Sequence, residues 1–162
     1  MKVKGMIEPD VHASKVGDVI DVKLAGGVKV QAMAVQQEED DMIFCLVDCL
    51  PGEYPMNSTR TNEGGYEESD LLRLPTEKEI FGGNYYGEYE SPYVKQWKPM
   101  KKRRNRMAFD GTKEENLQWY WLINKVRESA ASFSSVSGNG YAHASFASSS
   151  YGVRPAFKLK NH

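Results

Sequence analysis

A mixed domain of mostly antiparallel strands, with short helices and long loops, is what this sequence predicts, on three observations. Residues 16–50 alternate apolar and polar side chains in two runs and then turn apolar almost throughout. Residues 132–146 carry the grammar of a tight hairpin. The one complete helix-start signal lies between them and opens only a short segment. The length of 162 residues fits one domain over 1–162. With 40% apolar and 27% charged residues, the composition excludes collagen, a disulfide scaffold and a disordered tail.

In chain order, Asp18–Leu24 carries Val19, Ile20, Val22 and Leu24, the last three at period two, and turns at Ala25-Gly26-Gly27. In Val28–Val35, Val28, Val30, Ala32 and Ala34 share one face and Met33 and Val35 the other. Glu38-Glu39-Asp40-Asp41 lacks the alternating ligands of a calcium loop and reads as a solvated hairpin tip. Met42–Leu50 suits a central strand covered on both faces. It holds both cysteines, Cys45 and Cys49, which without further partners read as buried free thiols.

Residues 51–74 read as a long ordered loop, punctuated by Pro51, Pro55, Gly64 and Gly65. Thr76-Glu77-Lys78-Glu79 is a capping box, so a short helix over 77–81 follows and stops at Gly82-Gly83. Four tyrosines crowd 84–93, and Ser91-Pro92 is the start of a second expected short helix.

Net charge is −1, yet residues 1–94 sum to −10 and 95–162 to +9. The basic run comprises Lys95, Lys98, Lys101, Lys102, Arg103, Arg104 and Arg106, with Trp97 inside it. Lys101, Lys102, Arg103, Arg104 and Arg106 could hold nucleic-acid phosphates while Trp97 stacks on a base. Pro99 and Gly111 interrupt the two helices that a helix-turn-helix needs. The favoured reading is a basic loop facing the acidic N-terminal half, so nucleic acid is an alternative partner only.

Leu117–Val126 is an aromatic strand. Residues 129–150 hold nine Ser and five Ala, but Ser132–Ser137 and Tyr141–Phe146 flank Gly138-Asn139-Gly140, which makes the stretch a hairpin and not low complexity. Ala142, Ala144 and Phe146 are expected to face inward; Tyr141, His143 and Ser145 outward. Tyr151–Leu159 closes the domain, with Val153 and Phe157 buried and Pro155 at an edge or bulge.

The N-terminus has no apolar leader core and no run reaches 18 apolar residues, so the expectation is a chain made in the cytoplasm with no membrane span. Asn57-Ser58-Thr59 matches a glycosylation sequon that carries no weight without such a leader.

Trp119-Tyr120-Trp121-Leu122, Ser129-Ala130, Phe133, Val136, Gly140, Ala142 and Gly152-Val153-Arg154-Pro155-Ala156-Phe157 form a signature. With Val16-Gly17-Asp18, Met56-Asn57, Gly64-Gly65 and Leu74–Gly82, it resembles an uncharacterised bacterial and phage domain ending in W-W-L-R-S and G-V-R-P-A-F. That domain is in turn similar to the C-type-lectin-like fold, in its formylglycine-generating-enzyme and phage tropism-determinant branch. The resemblance implies an α+β domain of twisted antiparallel strands whose last Gly-hydrophobic-Arg strand returns beside the N-terminal part. Two departures stand out: Trp121-Leu122-Ile123-Asn124 replaces Trp-Leu-Arg-Ser, and the segment between Asp70-Leu71-Leu72 and Leu74-Pro75 is short.

In the phage branch the C-terminal strands display side chains to a target. The resemblance therefore implies a non-catalytic ligand- or receptor-binding module, associated with a phage tail or prophage and open to assembly into a virion or oligomer. Its partner would be a protein or glycan. Asn124, Arg127, Ser134, Asn139, Tyr141, His143, Ser145, Ser148 and Tyr151 are the candidate contacts, a paratope-like set. This reading requires Tyr141 and His143 to be exposed. An enzyme is the weaker alternative. The formylglycine-generating relatives hold a metal with a cysteine pair near the C-terminal motif, whereas Cys45 and Cys49 lie early. His12, His143 and His162 are scattered, and nothing places Asp48 or Asp70 beside a partner base. No cofactor and no metal are expected.

Overall fold

The computed structural model describes residues 14–24, 26–66 and 72–161. The N-terminal stretch with His12, the turn residue Ala25, the acidic end of the long loop with Asp70 and Leu71, and His162 lie outside them. Most of the regular structure is antiparallel strand in two sheets, with a few short helices.

Strands β1 (Val19–Lys23), β2 (Lys29–Glu38), β3 (Asp41–Leu46) and β7 (Ala156–Lys160) form one sheet, ordered β1-β2-β3-β7. Strands β4 (Tyr120–Lys125), β5 (Ser132–Val136) and β6 (Ala142–Phe146) form the other, in that order. The closing strand thus pairs with β3, beside the N-terminal part. Pro155 precedes it and offers only its carbonyl, which accepts from Leu46 N–H at 3.1 Å.

Period two explains the apolar run of β3. Met42, Phe44 and Leu46 enter one core with Val22, Ala32, Ala34, Trp121, Phe133 and Phe157. Ile43 and Cys45 enter a second with Val35, Ile80, Trp97, Tyr120, Leu122 and Val136. Strand β4 is divided the same way, Trp121 to the first core and Tyr120 and Leu122 to the second. Two strands, each apolar on both faces, are therefore shared between two cores. The strand ends at Leu46; Val47 N–H still donates to Gln31 O of β2, and then the chain pairs elsewhere, with Cys49 N–H donating to Phe109 O and Leu50 N–H to Val153 O.

Helix α1 (Glu77–Phe81) has the full capping box, with Thr76 Oγ1 accepting from Glu79 N–H and the Glu79 carboxylate accepting from Thr76 N–H. The helix expected from Ser91-Pro92 does not form. Ser91 O accepts from Val94 N–H, and the chain leaves in a single turn. The basic run instead contains a 3-10 turn at Lys98–Lys101 and the one-turn helix α2 (Arg103–Arg106). Among the described residues no helix is long and apolar enough to cross a membrane.

Candidate binding surface

Strand β6 is one of the two outer strands of its sheet. Its register with β5 is regular, running from Ser132 opposite Phe146 to Val136 opposite Ala142. Gly140 takes φ +81° in the turn, and a Cβ there would come within 3.0 Å of Arg103 O. The turn is held from outside. Arg103 Nη1 donates to Asn139 O at 3.0 Å, and Arg106 Nε donates to Gly140 O at 3.0 Å. The Arg103 guanidinium also lies 5.5 Å from the Tyr141 ring.

Tyr141 is 54% exposed, Phe146 52%, and His143 is exposed too. Behind His143 a ladder of rings descends into the interior. His143 packs on Trp119 at 4.7 Å, Trp119 stacks on Tyr151 at 5.5 Å, Tyr151 meets Trp121 at 4.8 Å, and Trp121 meets Phe133 edge-on at 6.3 Å. Trp121 is itself fixed, its Nε1–H donating to Tyr54 O at 2.7 Å. The surface aromatics therefore stand on buried ones.

Of the sequence-derived contacts, Asn139, Tyr141 and His143 are exposed, and Ser148 and Tyr151 are half-buried. Ser148 Oγ accepts from Arg60 Nε at 3.4 Å. Three others belong to the interior. Asn124 Oδ1 accepts from Glu77 N–H at 2.7 Å, and its amide donates to Glu90 Oε2. Ser134 donates to Glu77 Oε2 at 3.1 Å, and Ser145 bonds Ser135 at 2.8 Å. Arg127 is half-buried and donates to the carbonyls of Asn84, Tyr85 and Gly87, with Tyr89 stacked at 4.2 Å. Asn124, Ser134 and Ser145 are buried and so are corrected from surface contacts to interior ones, while Arg127 is tied to the loop 84–87. The expected inward alanine face of β6 is likewise corrected. Ala144 and Phe146 are exposed and Ala142 is half-buried, with Arg60 alone lying over the Phe146 ring at 4.7 Å among the ring contacts of the described residues.

The basic run packs on the N-terminal half, with Trp97 N–H donating to Glu79 O at 2.8 Å and Gln96 Nε2 to Ile80 O at 2.9 Å, but not through its charges. Arg103 and Arg106 donate to neutral carbonyls, Arg106 also lies over Phe81 at 5.4 Å, and no side chain of 95–106 makes an ion pair with a described residue. The acids find other partners: Glu79 pairs with Arg73, Glu38 with Lys158 and Asp41 with Lys160. Trp97 is fully buried in the second core and offers no ring to a base. Lys101, Lys102 and Arg104 are exposed.

Two buried polar centres escaped the sequence reading. Glu77, wholly buried, accepts from Tyr86 and Gly87 N–H, Asn84 Nδ2 and Ser134 Oγ. Gly87 is what lets the loop approach, since a Cβ there would sit 2.6 Å from Asn124 Cβ. Arg154, also buried, donates to Leu46 O, Asn105 O and Tyr120 Oη. The only sequence signal for these was a lone Glu inside a capping box and an Arg inside a closing motif. Beside Arg154, burial pushes the Cys49 thiol up to about 12 and the Tyr120 hydroxyl up to about 12, against the lowering pull of the guanidinium. Cys45 is raised for the same reason, and both thiols are free. Protonated thiols are poor nucleophiles and poor metal ligands. Among the described residues no three His, Cys, Asp or Glu side chains converge as metal ligands do.

No curated protein and no solved structure matches the chain. Residues 53–161 match a family described as a domain of unknown function, DUF6273.

Proposed function

The chain belongs to the DUF6273 family, and we propose that it is a single-domain, non-catalytic binding module whose outer strand β6 takes an extended segment of a partner protein as an added strand. The observation that carries this is the chemistry of the edge. Natural sheets blunt their edges with charge, proline or bulges. Ala142–Phe146 has no charged residue, no proline and no register break. The other sheet's outer strands, by contrast, are charged, with Asp21 and Lys23 on β1 and Lys158 and Lys160 on β7. Five residues offer about 17 Å of backbone. An added strand would gain main-chain hydrogen bonds, with Tyr141, His143 and Phe146 supplying side-chain contact. The Arg103 and Arg106 clamp and the ring ladder favour binding by keeping the hairpin ordered beforehand.

The non-catalytic part rests on thiols held protonated by burial. The lectin-like kinship rests on the motif Gly152–Phe157 leading into a last strand beside β3. The phage-tail or prophage setting rests on the resemblance alone, and tail genes beside this one would support it.

The test is selection of displayed peptides and a glycan array, each against the native protein and Ala144→Lys, which leaves the fold intact and charges the edge. Extended peptides captured by the native chain and lost about tenfold or more by the variant are the expected result. Equal capture by both, or capture of glycans alone, refutes strand addition.

A further inference from the structure

We propose that a second site, for a small organic carboxylate with a short apolar body, lies beneath the Gly152–Phe157 motif, with Arg154 receiving the carboxylate. A cavity of 310 Å³ opens there, within the size range of small-molecule sites. Met33, Val47, Met107, Ala108 and Leu117 give it apolar walls. Arg154 is also on the wall and is 2% exposed.

The charge of Arg154 has the Tyr120 ring at 5.3 Å but no carboxylate of a described residue to answer it. Its Nε donates to Leu46 O at 2.7 Å, and its Nη1 to Asn105 O and Tyr120 Oη at 3.0 Å, all three neutral acceptors. Its Nη2 donates to no described residue, and no carboxylate of a described residue lies within ion-pair distance. Buried charges are ordinarily paired, because an isolated one forfeits its hydration without return. A carboxylate entering the cavity would supply the missing counter-ion and accept from the free Nη2.

The wall also sets the ligand's charge. Arg104, exposed and in no ion pair with a described residue, adds a second cation at the opening. Asp48 is the one acid on the wall, and its Oδ1 accepts from Phe109 N–H at 3.1 Å. Two cations against one anion leave a single positive charge. That matches a monoanion and disfavours a phosphate dianion. The apolar walls fit a short hydrocarbon body and exclude a fully polar acid.

The protein labelled with 13C at its methionine methyls tests this. Met33 and Met107 line the cavity, whereas Met42 and Met56 lie in the other core. Titration with hexanoate should shift Met33 and Met107 saturably and leave Met42 and Met56 in place. Hexylamine should do nothing, and hexanol should bind about tenfold more weakly, ~1.4 kcal/mol. Arg104→Glu, at an exposed position with no bond to a described residue, should weaken hexanoate by a similar factor. Leu117→Trp, which fills the opening, should abolish the shifts. Hexanol binding as well as hexanoate, no saturable shift, or indifference to Arg104→Glu would each overturn the proposal.

Discussion

Glu77 and Arg154 are both buried ions without an oppositely charged neighbour in ion-pair distance among the described residues, yet their surroundings differ. The carboxylate of Glu77 is enclosed by N–H and O–H donors on a loop that Gly87 brings close. The guanidinium of Arg154 keeps one nitrogen free. Its neighbours Cys49 and Tyr120 are held as neutral acids by burial, and this has a pH signature. Each keeps its proton in the folded state after the unfolded chain has lost it. Their contribution is therefore full below the unfolded pKa, which is 9.0 for the thiol, and declines as pH rises toward about 12. Urea unfolding should lose ~1.4 kcal/mol per pH unit for each such group in that window. Cys49→Ala should flatten the slope. An unchanged slope would mean that the thiol does not titrate on unfolding.

At the scale of elements, what local pattern determines was legible and what distant partners determine was not. The capping box at Thr76 and the two-faced run of β3 act within a few residues; the helix formed where expected, and the strand formed but ends at Leu46, short of the expected Leu50. The Gly138–Gly140 hairpin also formed where expected. Asn124, Ser134 and Ser145 read as surface residues because small polar side chains usually are. Their burial depends on Glu77 and Ser135, and Glu77 lies 47 and 57 positions from Asn124 and Ser134. Opposite net charges suggested that the two halves of the chain attract, and Glu38–Lys158 and Asp41–Lys160 do join them. The run 95–106 makes no such pair, because its arginines bind carbonyl oxygens and ring faces, which leave no trace in a charge count. If Arg106 steadies the hairpin, Arg106→Gln should speed hydrogen exchange at the Gly140 and Tyr141 amides while those of β2 stay protected. Uniform acceleration would point instead to general loss of stability.

For the whole molecule, the central fact is that β3 and β4 each serve two cores and that β7 joins the first sheet from the far end of the chain. The family match runs from 53 to 161 and so includes β7 without β1, β2 and β3. A fragment of those residues should fail to fold. It lacks Val22, Ala32 and Phe44 of one core, Val35 and Cys45 of the other, and β3, the strand that β7 pairs with among the described residues. A cooperative unfolding transition from the fragment would show that the first three strands are dispensable.

The pairing of β3 with β7 also bears on how the protein is made. From Leu46 to Ala156 the ribosome needs roughly 5–20 s, at about 5–20 residues per second. Throughout that interval the flank of β3 stays open, and Phe44 waits for Phe157, against which it finally stacks at 5.5 Å. The first sheet to be synthesised is thus among the last parts to be completed, and the nascent chain is exposed to mispairing at β3 until residue 160 has emerged.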